Sequence, residues 1–367
     1  MPAVALAGRP DSFLAAGTQA DTDLTRLPHG DVVSCPCARV QWLRRRGSAS
    51  RRGSASQPRN PERPVDLLAS CRGWHDAVMA WPRVPAGRGG TAYVLGGGGV
   101  LGAAEVGMLQ ALFEHDVRPD LIVGTSVGAI NGALVAADPT PSAVDRLRGM
   151  WEELASQRIF AGSVLARVGT LVRTRTHLHP REPLRDLLVT HLPVQTFAEL
   201  RVPFQCVAAS IERAAERWFT DGDLVDAVLA SCAVPGLLPA VELDGEHYLD
   251  GGLVHSIPVG RAVALGADTI YVLQVGRIDR PLHPPTRPWE VALVAFEIAR
   301  RHRFAADLAA LPSGVTVHVL PSGDPALPGA GNMRYRDFSG VPARIERARA
   351  AARGYLERSG ALPDGEA

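Results

Sequence analysis

The sequence predicts an α/β fold, a three-layer α/β/α sandwich with a mainly parallel central sheet. Two observations predict it. From residue 91 onward short apolar runs alternate with segments of helical spacing, the pattern of a parallel sheet covered on both faces. The first two strands also lead through glycine turns straight into helices.

Taken in order, Thr91–Leu95 reads as a strand that Gly96 to Gly99 break, and Ala103–His115 reads as a helix, with Val106, Leu109, Gln110 and Phe113 near helical spacing. Leu121–Val123 is the second strand, followed by a helix through Ala129–Leu134. Residues 142–192 read as mostly helical, with Leu147, Met150, Trp151 and Leu154 on one face. Phe204–Ala209 is a strand, and Asp223 caps a helix that runs to Ser231. Thr269–Val275 and Val315–Leu320 complete the strands, and Val341–Ser359 is an Arg-rich helix packed on the outside. Pro288–Leu311 is amphipathic, with Val291, Val294, Ala295 and Ile298 on one side. Docking on the sheet is preferred for it over lying on a membrane surface. Arg300, Arg301 and Arg303 near its end suit a helix C-terminus.

The N-terminal region differs. Residues 1–90 carry 13 Arg against 7 acidic residues, a charge of +6, while the remainder carries −5. The run Arg44 to Ser56, RRRGSASRRGSAS, has nothing to bury. We read 1–90 as a disordered, basic extension and 91–360 as one catalytic domain with its motifs within 91–275. Binding of anionic lipid or nucleic acid, or phosphorylation at Ser48 and Ser54, are the rival readings of the extension. Met79 would serve as an alternative start.

The whole chain carries +1, which argues against a nucleic-acid partner. Five cysteines, Cys35, Cys37, Cys71, Cys206 and Cys232, are an odd number in a large chain and speak against a disulfide framework. Cys35-Pro36-Cys37 has no second pair at ligand spacing. Asp116, Asp120, Asp138 and Asp145 also lack metal-ligand spacing, and no metal or cofactor is expected. Arg9 and Asp11 interrupt any signal peptide. The longest uncharged stretch, Leu121 to Ala137, is short for a membrane span. The expectation is a cytoplasmic or peripherally membrane-attached protein.

Three motifs carry chemistry. The first is Gly124-Thr125-Ser126-Val127-Gly128, a G-x-S-x-G between strand and helix. Such a turn stands the serine hydroxyl clear of the backbone, and Gly124 and Gly128 leave room for it. The second is Gly96-Gly97-Gly98-Gly99-Val100-Leu101-Gly102, whose N–H groups can converge on an anion. Gly97, Gly99 and Gly102 also match the dinucleotide fingerprint G-x-G-x-x-G. The second strand, however, ends in Gly-Thr-Ser where that fold needs a ribose-binding acid. The third is Asp250-Gly251-Gly252, which by itself reads as a turn.

In this order the motifs resemble the patatin-like phospholipase family. Phe197-Ala198-Glu199-Leu200 before Val202-Pro203 is similar to its F-x-x-L…P stretch. Residues 230–239, ASCAVPGLLP, are similar to its A-S-x-A-x-P-G-x-x-P segment, and Ile257-Pro258-Val259 to its P-V. The resemblance covers Thr91 to Val275. It implies a serine lipid acyl hydrolase of the phospholipase A or esterase type, working through a Ser–Asp dyad. Ser126 would be the nucleophile, Asp250 the base, and Gly97, Gly98 and Gly99 the oxyanion donors, with Gly102, Gly124, Gly128, Gly251 and Gly252 shaping the turns. The partner would be a fatty acyl ester lipid at a membrane surface. Leu101 stands where the family commonly carries Arg or Lys, which keeps simpler esters and neutral lipids open as substrates. His247 and His255 flank Asp250 and offer a conventional triad as a competitor. The alternative from another class is a non-catalytic acyl-lipid or protein-binding member of the same fold.

Overall fold

Strands β1 (Thr91–Leu95) and β2 (Leu121–Thr125) are buried from end to end and pair in parallel, as strands sandwiched between helices do. They belong to a computed structural model in which residues 90–156, 176–275, 281–286, 288–323 and 340–359 are described. Every described residue lies within one compact unit of the chain. The expectations for the N-terminal extension, for Cys35, Cys37 and Cys71, and for helix between residues 157 and 175 fall outside the described residues.

The remaining strands are β3 (Phe204–Ser210), β4 (Ala215–Phe219), β5 (Val241–Leu243), β6 (Glu246–Asp250), β7 (Thr269–Leu273) and β8 (Thr316–Leu320). They form one sheet of order β5-β6-β3-β2-β1-β7-β8, with β4 paired to β3. The five strands β3, β2, β1, β7 and β8 run parallel; β4, β5 and β6 supply the antiparallel pairings. The helices are α1 (Ala103–Glu114), α2 (Val127–Ala137), α3 (Pro141–Ser156), α4 (Glu182–His191), α5 (Leu224–Ser231), α6 (Val259–Ala264), α7 (Pro288–Ala309) and α8 (Val341–Ser359).

Strand alternation sends the two side-chain sets to opposite faces. Tyr93, Leu95, Ile122, Phe204, Tyr271 and Leu273 join a core with residues of α1 to α5 and α8. Ala92, Val94, Leu121, Val123, Ile270 and Val272 join a second core with α6 and with Phe304 of α7. The result is the three-layer sandwich. Phe304 and Val294 bury one side of α7 while Val291 and Ile298 stay exposed, so the helix docks on the protein and leaves these two large side chains outside.

Asp223 caps α5 by accepting from the Asp226 N–H at 2.8 Å. Two strands had no clear signature. β4 is Ala-Glu-Arg-Trp-Phe, with charges at its centre, and β5 is three residues long.

The sheet solves a long-range problem through β3. β4 pairs with β3 from Cys206 to Ser210, so β2 and β6 must share the other edge. β2 runs along that edge and ends with Thr125 opposite Val207. β6 runs the opposite way and ends with Asp250 opposite Ala208. The two strands meet end to end, and the residue after β2 is Ser126.

Candidate active site

Ser126 sits at φ 55°, ψ −123°, a left-handed conformation rare for a side-chain-bearing residue. Such a conformation costs about 1–3 kcal/mol and persists only where its surroundings impose it. They do. The Ser126 N–H donates to Ser231 Oγ at 2.9 Å, and the Ser126 carbonyl accepts from the Ala129 N–H at 2.8 Å to open α2. A Cβ on Gly124 would lie 2.5 Å from the Gly128 carbonyl oxygen, and one on Gly128 would overlap the carbonyl of Leu95. Both glycines are there because backbone passes where a side chain would be.

The Ser126 hydroxyl donates to Asp250 Oδ2 at 2.6 Å. The other carboxylate oxygen accepts from the Gly252 N–H at 2.7 Å, which fixes the carboxylate plane. Asp250 is also anchored by its backbone, whose N–H donates to the Ala233 carbonyl at 2.9 Å. Only 7% of Ser126 and 4% of Asp250 is exposed. Burial pushes the Asp250 carboxyl up to about 6, against the hydrogen bonds from Ser126 and Gly252, which favour its charged form.

The glycine-rich loop lies beside this pair: a Cβ on Gly97 would stand 3.5 Å from Ser126 Cβ. Its three candidate donors are not equivalent. The Gly97 N–H donates to the Ser256 carbonyl at 2.9 Å, so that donor is committed to the fold. Among the described residues no acceptor engages the N–H of Gly98 or Gly99, and Gly99 is exposed at φ 57°. Of the three expected donors, Gly98 and Gly99 are the two whose N–H groups meet no acceptor among the described residues. Gly102 packs on Val127, whose Cγ2 would be 2.5 Å from an added Cβ. Gly251 packs on the Val207 carbonyl, and Gly252 on the Phe296 ring. The Leu101 side chain is buried in the core, and its N–H donates to the Gly98 carbonyl at 3.2 Å.

Neither flanking histidine joins the pair. His247 Nδ1 lies 2.7 Å from Glu212 Oε1, and His255 pairs with Glu216 beside the Trp218 ring. A conventional triad is not assembled. Sequence reasoning assigned no role to Ser231, although it lies in the 230–239 segment quoted above; its place in that segment was the available signal. It also gave none to Thr125, whose hydroxyl donates to the His255 carbonyl at 2.7 Å and ties the elbow to the turn after Asp250. Among the described residues no group of three or more His, Cys, Asp or Glu side chains is arranged to hold a metal ion.

Fold and site together define a class: α/β proteins with a serine at a strand-to-helix elbow beside a glycine-rich loop and a buried carboxylate. Residues 93–263 match the family model of the patatin-like phospholipases. Patatin-like phospholipase domain-containing protein 7 of Rattus norvegicus is 28% identical over 265 residues, which is 69% of this chain and 19% of that protein. Lysophospholipase nte1 of Aspergillus terreus is 33% identical over 188 residues, 51% of this chain and 12% of that protein. This chain thus matches less than a fifth of the length of either relative. The crystal structure of VipD from Legionella pneumophila aligns over 75% of this chain and 69% of its own, at 13% identity and a TM-score of 0.38, too distant to carry an argument. Among the described residues no helix is long and apolar enough to cross a membrane.

Proposed function

We propose that this chain is a serine acyl hydrolase that cleaves fatty acyl esters through Ser126 and Asp250. The observation that carries the reading is the 2.6 Å hydrogen bond between the Ser126 hydroxyl and Asp250 Oδ2 at a strained elbow. The names of the fungal relatives point to lysophospholipids as the substrate class, presented at a lipid surface. The catalytic unit in this reading is 91–360, and residues 1–90 take no part in the chemistry.

The geometry supports the following sequence of steps. Asp250, ionised, takes the Ser126 proton as Oγ bonds to the ester carbonyl carbon. The carbonyl oxygen becomes an oxyanion, held by the N–H groups of Gly98 and Gly99; one such donor is worth about 3 kcal/mol in other hydrolases. The carbon–oxygen bond to the alcohol breaks, and Asp250 returns its proton to that alcohol. Water then repeats the sequence on the acyl-enzyme. It gives a proton to Asp250, its oxygen bonds to the acyl carbon, and the Ser126 ester bond breaks with the proton returned to Oγ. Raising the carboxyl to about 6 makes Asp250 a stronger base while leaving it ionised near neutrality.

The test is hydrolysis of a short and a long p-nitrophenyl acyl ester by wild type, Ser126→Ala and Asp250→Asn. Each substitution is expected to lower kcat/KM by about 10³-fold or more with unchanged circular dichroism. No wild-type hydrolysis of either ester would overturn the reading in favour of a lipid-binding protein of the same fold.

A further inference from the structure

We propose that Arg300 of α7 is a positioning residue for the oxyanion loop, one buried guanidinium that braces the glycine-rich turn from behind. This rests on the hydrolase reading above. Residues 96–102 contain no charged side chain, so any charge that steadies the loop comes from elsewhere. Arg300 supplies one from a helix beyond the segment that matches the family.

Only 5% of Arg300 is exposed, and its donors are directed at the loop's backing. Nε donates to Ser256 Oγ at 3.1 Å, and Nη2 donates to the Val275 carbonyl at 2.9 Å and to Gln274 Oε1 at 3.2 Å. Nη1 donates to Glu297 Oε1 at 3.0 Å. Each residue held on the loop side abuts one of the glycines. Ser256 accepts the Gly97 N–H through its carbonyl, and its Oγ lies 3.4 Å from the place of a Gly97 Cβ. Val275 fills the space a Gly98 Cβ would need, and Gln274 Cα lies 3.6 Å from that of Gly96. Burial holds the Glu105 carboxyl of α1 well above the usual carboxylate range, opposed by hydrogen bonds from Asn131 and Gly96 and, least, by the charge of Arg300.

The loop's two uncommitted donors, on Gly98 and Gly99, therefore hang from a backing that one rigid planar fork holds in register. Burying a guanidinium is costly unless its donors are met. Here it meets acceptors in the two chain segments behind the loop, the turn after Asp250 and the end of β7. A flexible ammonium cannot span them in the same geometry. A misplacement of about 1 Å in such donors is enough for a loss on the order of 10²-fold.

The experiment compares wild type, Arg300→Met, Arg300→Lys, Arg301→Met and Ser126→Ala on p-nitrophenyl butyrate. Active enzyme is counted from the acyl-enzyme burst, and Ki is measured for an alkyl trifluoromethyl ketone, whose serine adduct places an oxyanion on the loop. Per active site, Arg300→Met is expected to lose about 10–100-fold in kcat, with KM within about twofold and Ki raised by the same factor as kcat falls. Arg300→Lys is expected to lose about tenfold. Arg301→Met, which removes a cation that shares the Glu297 carboxylate with Arg300 but leaves the Arg300 bonds to Ser256, Gln274 and Val275 in place, is expected to stay near wild type. A purely structural role would lower thermal stability and the burst while leaving Ki and kcat per active site unchanged, and that result in Arg300→Met overturns the proposal. If Arg300→Met does not fold, wild-type kcat and Ki in Arg300→Lys overturn it equally. Hydrolysis that survives Ser126→Ala removes the hydrolase premise itself, a different failure from a loop indifferent to Arg300.

Discussion

In the proposed mechanism Asp250 acts as the base, and it has to be buried and charged at once. Burial raises its carboxyl from the ordinary range to about 6, and that single value governs two pH dependences. As a base it works only when ionised, so kcat/KM is expected to rise with pH through about 6 and to level off above about 7. The stability effect has the opposite sign. In the unfolded chain the group titrates near 3.9, so between about pH 4 and 6 the folded state binds more protons and loses stability as pH rises. By pH 8 the buried charge costs at most about 3 kcal/mol. Asp250→Asn is therefore expected to melt higher than wild type at pH 8 and to lose that advantage near pH 4. A kcat/KM flat from pH 5 to 8 contradicts this account. Ser126 and Asp250 were both legible as motif residues, because each stands at a turn that only a few residue types can make. The difference between the bonded N–H of Gly97 and the N–H groups of Gly98 and Gly99 was not. It depends on the Ser256 carbonyl, which only the folded chain brings to Gly97.

At the level of elements, the elbow works because α2 starts in contact with the end of β1. Gly128 lies where any side chain would overlap the Leu95 carbonyl. Gly128→Ala is expected to push α2 off the sheet and to destabilise the protein by about 2–3 kcal/mol. In a domain of this size that is a fall on the order of 5 °C in Tm, accompanied by loss of ester hydrolysis. A Tm and an activity equal to wild type would show that the close approach is dispensable. The parallel strands were readable because burial on both faces leaves continuous apolar runs, such as Tyr93-Val94-Leu95 and Ile270-Tyr271-Val272. β4 was not readable, since Glu216 and Arg217 break that pattern on a strand paired only to β3. Yet β4 occupies one edge of β3, and so leaves β2 and β6 to meet on the other.

On the scale of the molecule, the family match ends at residue 263 while the sheet does not. β7 lies between β1 and β8, and the Leu273 carbonyl accepts the Gly96 N–H at 2.9 Å at the start of the glycine loop. α8 buries Val341, Ile345, Ala348, Ala352 and Leu356, and its backbone passes so close to α1 that only a glycine, Gly107, fits there. A chain trimmed to 90–263 is expected to show no cooperative unfolding, while one beginning at Met79 keeps wild-type kcat. A folded, active 90–263 fragment would contradict the sheet as the unit of stability. The later strands and the Arg-rich last helix were visible in the sequence as elements. Their partners were not, because a parallel sheet joins segments far apart in the chain and apolar periodicity says which face is buried but not against what.

The most direct measurement of the central claim is mass spectrometry of the protein after reaction with a fluorophosphonate, which labels only an activated serine. The account predicts a single adduct on Ser126, absent in Ser126→Ala and formed at least about 100-fold more slowly in Asp250→Asn. No adduct on the wild type, or an adduct on Ser126 that forms at the same rate without the Asp250 carboxylate, would contradict it.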